Sequence, residues 1–187
     1  MKNTSRFNRG FTLIELLTVI AIIGILAALL FPAISAAMKK AKITKAQTEV
    51  HAIETGWKAY LNEYSQWPVD PATTMCLGQP AAETTVTGIR TTPDVTALLL
   101  GSRTAILNYV PSQHNPKGIQ FLNLKMDSNG ALVDPWNNQY AFLFDVDYDN
   151  QVTTNATPGI PTVPRTVIVW SYGPDGISGT ADDIKSW

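Results

Sequence analysis

The chain has 187 residues, 45% of them hydrophobic, with 14 Lys and Arg against 15 Asp and Glu for a net charge of −1. That length allows about one ordinary domain with an appendage, and a single cysteine, Cys76, excludes an intrachain disulfide. Charge is polarised, with eight basic residues against four acids over residues 1–65 and six against eleven over 66–187. The basic residues flank an apolar run instead of forming a patch with interleaved aromatics, which argues against nucleic acid as a partner.

Residues 1–10, MKNTSRFNRG, hold Lys2, Arg6 and Arg9 and no acid, as a cytoplasmic leader should. From Phe11 the chain reads as one long helix to about residue 66. Residues 16–38 carry no charge, which exceeds the roughly 20 apolar residues that a spanning helix needs. The apolar part, 11–38, is therefore expected in a membrane. Lys39, Lys40, Lys42 and Lys45 follow it, placed to meet lipid headgroups. Because basic residues stand on both sides, their count alone leaves the orientation open. Pro32, followed by Ala33, Ser35, Ala36 and Ala37, predicts a kink or local loosening.

Beyond the lysines the helix turns amphipathic. Ile43, Ala46, Val50, Ile53, Trp57, Tyr60 or Leu61, and Tyr64 recur at steps of three and four, which draws one apolar stripe with Lys45, Glu49, Glu54 and Lys58 largely off it. Pro68 and the Pro/Thr-rich stretch after it end the helix, giving a rod of roughly 80 Å at 1.5 Å per residue.

A globular domain is expected over 67–187. Residues 71–92, with Cys76 an incidental member, read as a loop. In "TPDVTALLLG" (92–101), Thr92 as N-cap, Pro93 at the first helical position and Gly101 as the stop predict a short helix. Tyr140, Phe142, Phe144 and Val146 alternate with Gln139, Ala141, Leu143 and Asp145, and Thr166 to Trp170 is β-branched and aromatic, so both are expected as strands. A small antiparallel sheet laid over the amphipathic half of the helix would bury both apolar surfaces, an α+β fold. Trp57, Trp67, Trp136, Trp170 and Trp187 are expected as packing residues.

Enzymatic chemistry finds no foothold. His51 is expected solvated on the helix and His114 in the loop "PSQHNP", with no motif nominating a nucleophile beside either. The sequence contains neither GxxxxGK[ST] nor GxGxxG.

One acid, Glu15, interrupts the apolar start of the helix. A carboxylate near the centre of a bilayer costs about 2.5–3.5 kcal/mol on insertion scales. Gly10-Phe11-Thr12-Leu13-Ile14-Glu15 followed by the apolar run resembles the class III signal of type IV prepilins and type II secretion pseudopilins. The resemblance implies cleavage after Gly10 by a prepilin peptidase and methylation of the new amino terminus on Phe11. It also implies that Glu15 neutralises the Phe11 amine of a neighbouring subunit in a helical filament. The rival reading is an ordinary signal peptide or anchor, with "AISAA" at 33–37 as a small-residue cleavage site. That reading leaves Glu15 unexplained.

The tail carries a second resemblance. "DPWNNQY" (134–140), a strand-like region and "SYGPDGISGTADDIKSW" (171–187) are similar to the C-terminal layout of the major pseudopilin of type II secretion, whose loop binds calcium. Carried over, Asp175 and Asp182 are the side-chain ligands, with backbone carbonyls near Tyr172, Ile177 and Thr180, and Asp183 and Ser178 as alternatives. The residues themselves suit calcium, which takes about 6–8 oxygen ligands, and also suit a turn-rich loop whose acids satisfy backbone amides. "DVDYDNQV" (145–152) opens like an EF-hand loop with Asp145, Asp147 and Asp149, but its sixth residue is Asn150 and its twelfth Ala156. A solvated hairpin turn is the expectation there. The segment following it, to about 165, is longer than a minimal pseudopilin requires. The chain is thus expected to be a non-enzymatic pseudopilin of a bacterial inner membrane. It would be single-pass with its C-terminal domain in the periplasm, and would act with other pseudopilins and secretion components. A type IV pilin, or an anchored periplasmic binding domain that never polymerises, are the alternatives.

Overall fold

The structure, a computed structural model, describes residues 11–70, 75–76, 89–90, 98–100, 114–124, 126–152 and 162–187. Helix α1 spans Leu13–Tyr64. Its carboxyl end is set by Ser65, which adopts a left-handed φ of 55° and donates its N–H to the Leu61 carbonyl at 2.7 Å. Pro32 lies inside the helix without interrupting it. Proline deletes one donor, and the unbroken ladder on both sides of it carries the helix through.

The chain divides into two compact parts, one ending at Ala41 and the other Lys42–Trp187. In the first, the apolar side chains of α1 point outward: Leu13, Ile14, Leu29 and Phe31 are each more than two-thirds exposed. An 18-residue window of this helix reaches a mean hydropathy of 2.8 with none of it buried, so by length and composition it is able to cross a membrane.

In the second part the predicted stripe is the core. Ala46, Val50, Ile53, Trp57 and Tyr60 are buried and pack with Phe142, Phe144, Val167 and Val169. Trp57 meets Phe144 edge-on at 4.8 Å between centroids, and Trp67 stacks on the same ring at 4.2 Å. The strands supplying those rings are β4 (Ala141–Phe144) and β5 (Val167–Ser171). They form the middle of an antiparallel sheet ordered β3-β4-β5-β6, in which β3 is Ile89–Arg90 and β6 is Ile184–Lys185. Phe142 pairs with Val169 and Phe144 with Val167, so the aromatic and β-branched residues facing the helix stand opposite one another. A separate two-stranded pair joins β1 (Val69–Asp70) to β2 (Met75–Cys76). Residues 75–76 and 89–90, expected within a loop, are therefore strand: 75–76 folds back on the nearby 69–70, and 89–90 takes its hydrogen bonds from β4, far along the chain. Of the helix predicted over 92–101, only Leu98–Leu100 fall among the described residues; Leu98 and Leu99 are helical and buried.

The sheet is covered on both faces. Ala141, Leu143, Ile168 and Trp170 project away from α1 into a second cluster with Val152, Val163 and Tyr172, against which Trp187 packs. Val152 and Val163 exchange backbone hydrogen bonds of 2.9 and 3.0 Å, so the two ends of the long segment after residue 149 close over the outer face.

Three polar residues depart from expectation. Glu54 is buried at the edge of the stripe, where Lys58 at 2.6 Å, Arg165 at 3.4 Å and His51 at 3.5 Å surround its carboxylate. Such a charge is tolerable in the interior only because it is paired. His114 is buried, not surface-lying, and its carbonyl accepts the Tyr60 hydroxyl at 2.5 Å. Glu49 accepts the Tyr140 hydroxyl at 2.6 Å. Burial, reinforced by that bond, pushes the Tyr140 phenol well above its ordinary range. A raised pKa in the folded state stabilises the fold below the unfolded value of about 10 and is lost as pH rises beyond it. Tyr140→Phe is expected to lower stability at neutral pH by about 1–2 kcal/mol, and to flatten the fall in stability between pH 9 and 11, measured by denaturant titration at each pH.

Candidate assembly and metal-binding sites

Glu15 sits in the first turn of α1. Thr12 precedes the helix and forms a reciprocal cap with it: the Thr12 N–H and hydroxyl donate to Glu15 Oε2 at 2.8 and 2.7 Å, and the Glu15 N–H donates to Thr12 Oγ1 at 3.3 Å. This is a capping box, which satisfies amides that have no partner within the helix. Within a single chain, then, the acid is held by its own helix start. Gly10 lies outside the described residues, and Phe11 is described and exposed.

The C-terminal loop runs from Tyr172, just after β5, to β6. Gly173, Gly176 and Gly179 all take positive φ, which turns the backbone sharply at a cost that other residues would feel. Asp175 accepts the Ile177 N–H at 2.8 Å and Asp183 the Gly179 N–H at 2.8 Å. Asp182 accepts the Thr180 hydroxyl at 2.7 Å and the Asp175 N–H at 3.3 Å, and the Thr180 bond holds its carboxyl below the usual carboxylate range. Thr180 also donates to the Ile177 carbonyl, at 3.0 Å. The acids thus brace the loop's own amides. Two oxygens do not: among the described residues, Asp183 Oδ1 and Ser178 Oγ are buried without a hydrogen-bond partner. Burial pushes the Asp183 carboxyl up. Orphaned hard oxygens in an all-oxygen loop fit a calcium ion, which would take Asp183 and Ser178 as well as Asp175 and Asp182.

Asp145, Asp147 and Asp149 are gathered more tightly, with one oxygen of each within 4.8 Å of the others, and could hold a metal ion. The turn expected there is present as well. Asp145 is buried and accepts the N–H groups of Asp149 and Asn150 at 3.1 and 2.9 Å, while Asp149 accepts that of Gln151 at 2.7 Å. Burial raises the Asp145 carboxyl, with Asp147 and Asp149 adding repulsion. Asn150, which departs from the EF-hand glycine, takes a φ of 67°. Asparagine is among the residues best suited to that left-handed region.

Sequence reasoning passed over the side chains that hold the loop from outside it. Asp134 is buried and accepts the N–H groups of Trp136 and Asn138 through Oδ1 at 2.9 and 2.8 Å, and the Ser171 hydroxyl through Oδ2 at 2.6 Å. The Asp-Pro opening of "DPWNN" was the available signal, because aspartate there starts a turn through its own side chain.

Residues 5–31 match the family described as "Prokaryotic N-terminal methylation motif". The chain therefore carries a prepilin-type amino terminus on an apolar helix, as a membrane-anchored protein does. It is 29% identical over 183 residues, 97% of this chain and 88% of the relative, to "Type II secretion system core protein G" of Dickeya chrysanthemi. It is 44% identical over 66 residues, 34% of this chain and 30% of the relative, to "Type IV major pilin protein PilA" of Myxococcus xanthus. Among solved structures, the major pseudopilin of the type 2 secretion system of enterohaemorrhagic Escherichia coli aligns with a TM-score of 0.41 and 19% identity, covering 82% of this chain and 92% of that one. The resemblance to secretion pseudopilins, first drawn on residues 10–15 and the tail, extends over nearly the whole chain.

Proposed function

We propose that this chain is a structural pseudopilin subunit that assembles into the pseudopilus of a type II protein secretion system. It carries no catalytic role: its chemistry is processing, polymerisation and metal binding. The observation that carries the reading is the pairing of a prepilin-type terminus with similarity to core protein G that runs on into the tail. The pilin match covers 66 residues, the length of the helical segment with its leader, so a type IV pilin is the second reading. In the proposed cycle residues 1–10 face the cytoplasm, the apolar helix spans the inner membrane and the domain from about residue 67 lies in the periplasm. A prepilin peptidase cuts after Gly10, Phe11 is methylated, and Glu15 meets the Phe11 amine of a neighbouring copy. Two groups costly in lipid become tolerable when paired. Calcium is held in the 172–183 loop by Asp175, Asp182, Asp183 and Ser178 with the carbonyls of Tyr172, Ile177 and Thr180.

Mass spectrometry of the mature chain from membranes of the native host tests this. A chain beginning at methylated Phe11 is expected. One cut near Ser35, or left intact from Met1, overturns the processing and the assembly that depends on it.

A further inference from the structure

The calcium loop opens on Gly173, a residue whose backbone N–H and carbonyl are both gripped from outside the loop. The Gly173 N–H donates to Ser171 Oγ at 3.1 Å, and the Gly173 carbonyl accepts the Asn138 side-chain amide at 3.1 Å. Ser171 is fully buried at the end of β5, and its hydroxyl in turn donates to Asp134 at 2.6 Å. Asp134 and Asn138 belong to one turn, closed by the Asp134 N–H on the Asn138 carbonyl at 2.8 Å and by Asp134 Oδ1 on the Asn138 N–H at 2.8 Å. The same asparagine reaches a second glycine of the loop: a Cβ on Gly176 would lie 3.2 Å from Asn138 Oδ1. Gly173 itself, at a φ of 63°, has the Asp182 carbonyl pressed against the place a Cβ would take. The entry residue of the loop thereby lies closely against the segment bearing Asp182.

We infer that Asn138 is a positioning residue for the calcium site, with Asp134 and Ser171 as its support; this rests on the calcium reading above. The acids of the loop are held by the loop's own amides, which can reorganise together. Gly173 is held by groups of the sheet and the 134–138 turn, which cannot follow them. Fixing Gly173 sets the position of the backbone that leads on to Asp175 and that meets Asp182. Calcium then binds oxygens already gathered and does not have to order the loop. Groups that orient metal ligands without touching the metal typically change affinity by about 10–100-fold when removed.

The test is calorimetric titration of calcium into the full chain in detergent after chelator treatment, together with melting in chelator and in calcium. Asn138→Leu keeps the branching at Cγ and removes the donor; Asn138→Ala removes both and serves if the bulkier leucine variant misfolds. The expected result is a Kd raised tenfold or more, with the melting temperature in chelator close to that of the unaltered chain. A Kd matching the unaltered chain, with melting lowered equally in chelator and in calcium, makes Asn138 a structural residue only and overturns the inference. If the unaltered chain binds no calcium, the calcium reading itself fails and the positioning role falls with it.

Discussion

Glu15→Ala is expected to abolish filaments while leaving the chain inserted and processed. Removing a carboxylate from an apolar segment favours insertion, by less at a helix start than the roughly 2.5–3.5 kcal/mol of a helix centre but in the same direction. A failure to reach the membrane therefore cannot account for lost assembly. The structure supplies a competing role, however, because Glu15 completes the capping box with Thr12, and a lost cap costs about 0.5–2 kcal/mol. Glu15→Gln separates the two. Glutamine can serve in the box but cannot neutralise an amine. If charge pairing between subunits sets the register, the glutamine variant fails to assemble as the alanine variant does. If capping is what matters, glutamine restores filaments. Electron microscopy of sheared filaments, with membrane fractions as the control, reads both. Filaments of ordinary abundance from Glu15→Ala would overturn the register argument altogether.

Calcium removal is the second large effect. A ligand present at about a thousand times its Kd stabilises the state that binds it by about 4.1 kcal/mol. At about 2–4 °C per kcal/mol for a domain of this size, chelation is expected to lower the melting temperature by roughly 8–16 °C. Asp175→Ala should remove most of that shift. Asp183→Asn gives a sharper result, because burial raises the Asp183 carboxyl in the metal-free fold. A carboxyl raised in the folded state stabilises that state at low pH, and the contribution is lost as pH climbs through the raised value. At neutral pH the ionised form therefore burdens the metal-free chain. Asp183→Asn should melt at or above the unaltered chain in chelator and below it in calcium. If calcium leaves the melting of the unaltered chain unchanged, the loop reverts to a turn whose acids serve its own amides.

The long helix was legible because its signals are local: an apolar run, a stripe at steps of three and four, and a proline beyond its end. The central strands were legible from the aromatic and β-branched composition of 140–146 and 166–170. What escaped depends on neighbours far along the chain. Glu54 looks like a surface acid until Arg165, 111 residues away, arrives beside it. Strand β3 has two residues and pairs with β4, Ile89 standing opposite Phe142. The acids of the tail were legible as a group, but not that Asp183 Oδ1 and Ser178 Oγ would be the oxygens left without partners. Nor does sequence spacing reveal that the 134–138 turn, 35 residues upstream of Gly173, holds that glycine in place.

The edges of the sheet bear on how such a chain polymerises. Strands β3 and β6 flank the sheet and are two residues long. An edge that short gives another chain little to extend. Subunits crowded along a filament would otherwise risk zipping sheet to sheet into aggregates that no register controls. In the proposed filament, margins so blunted would leave the globular parts as separate repeating units and leave the order of the polymer to the helices.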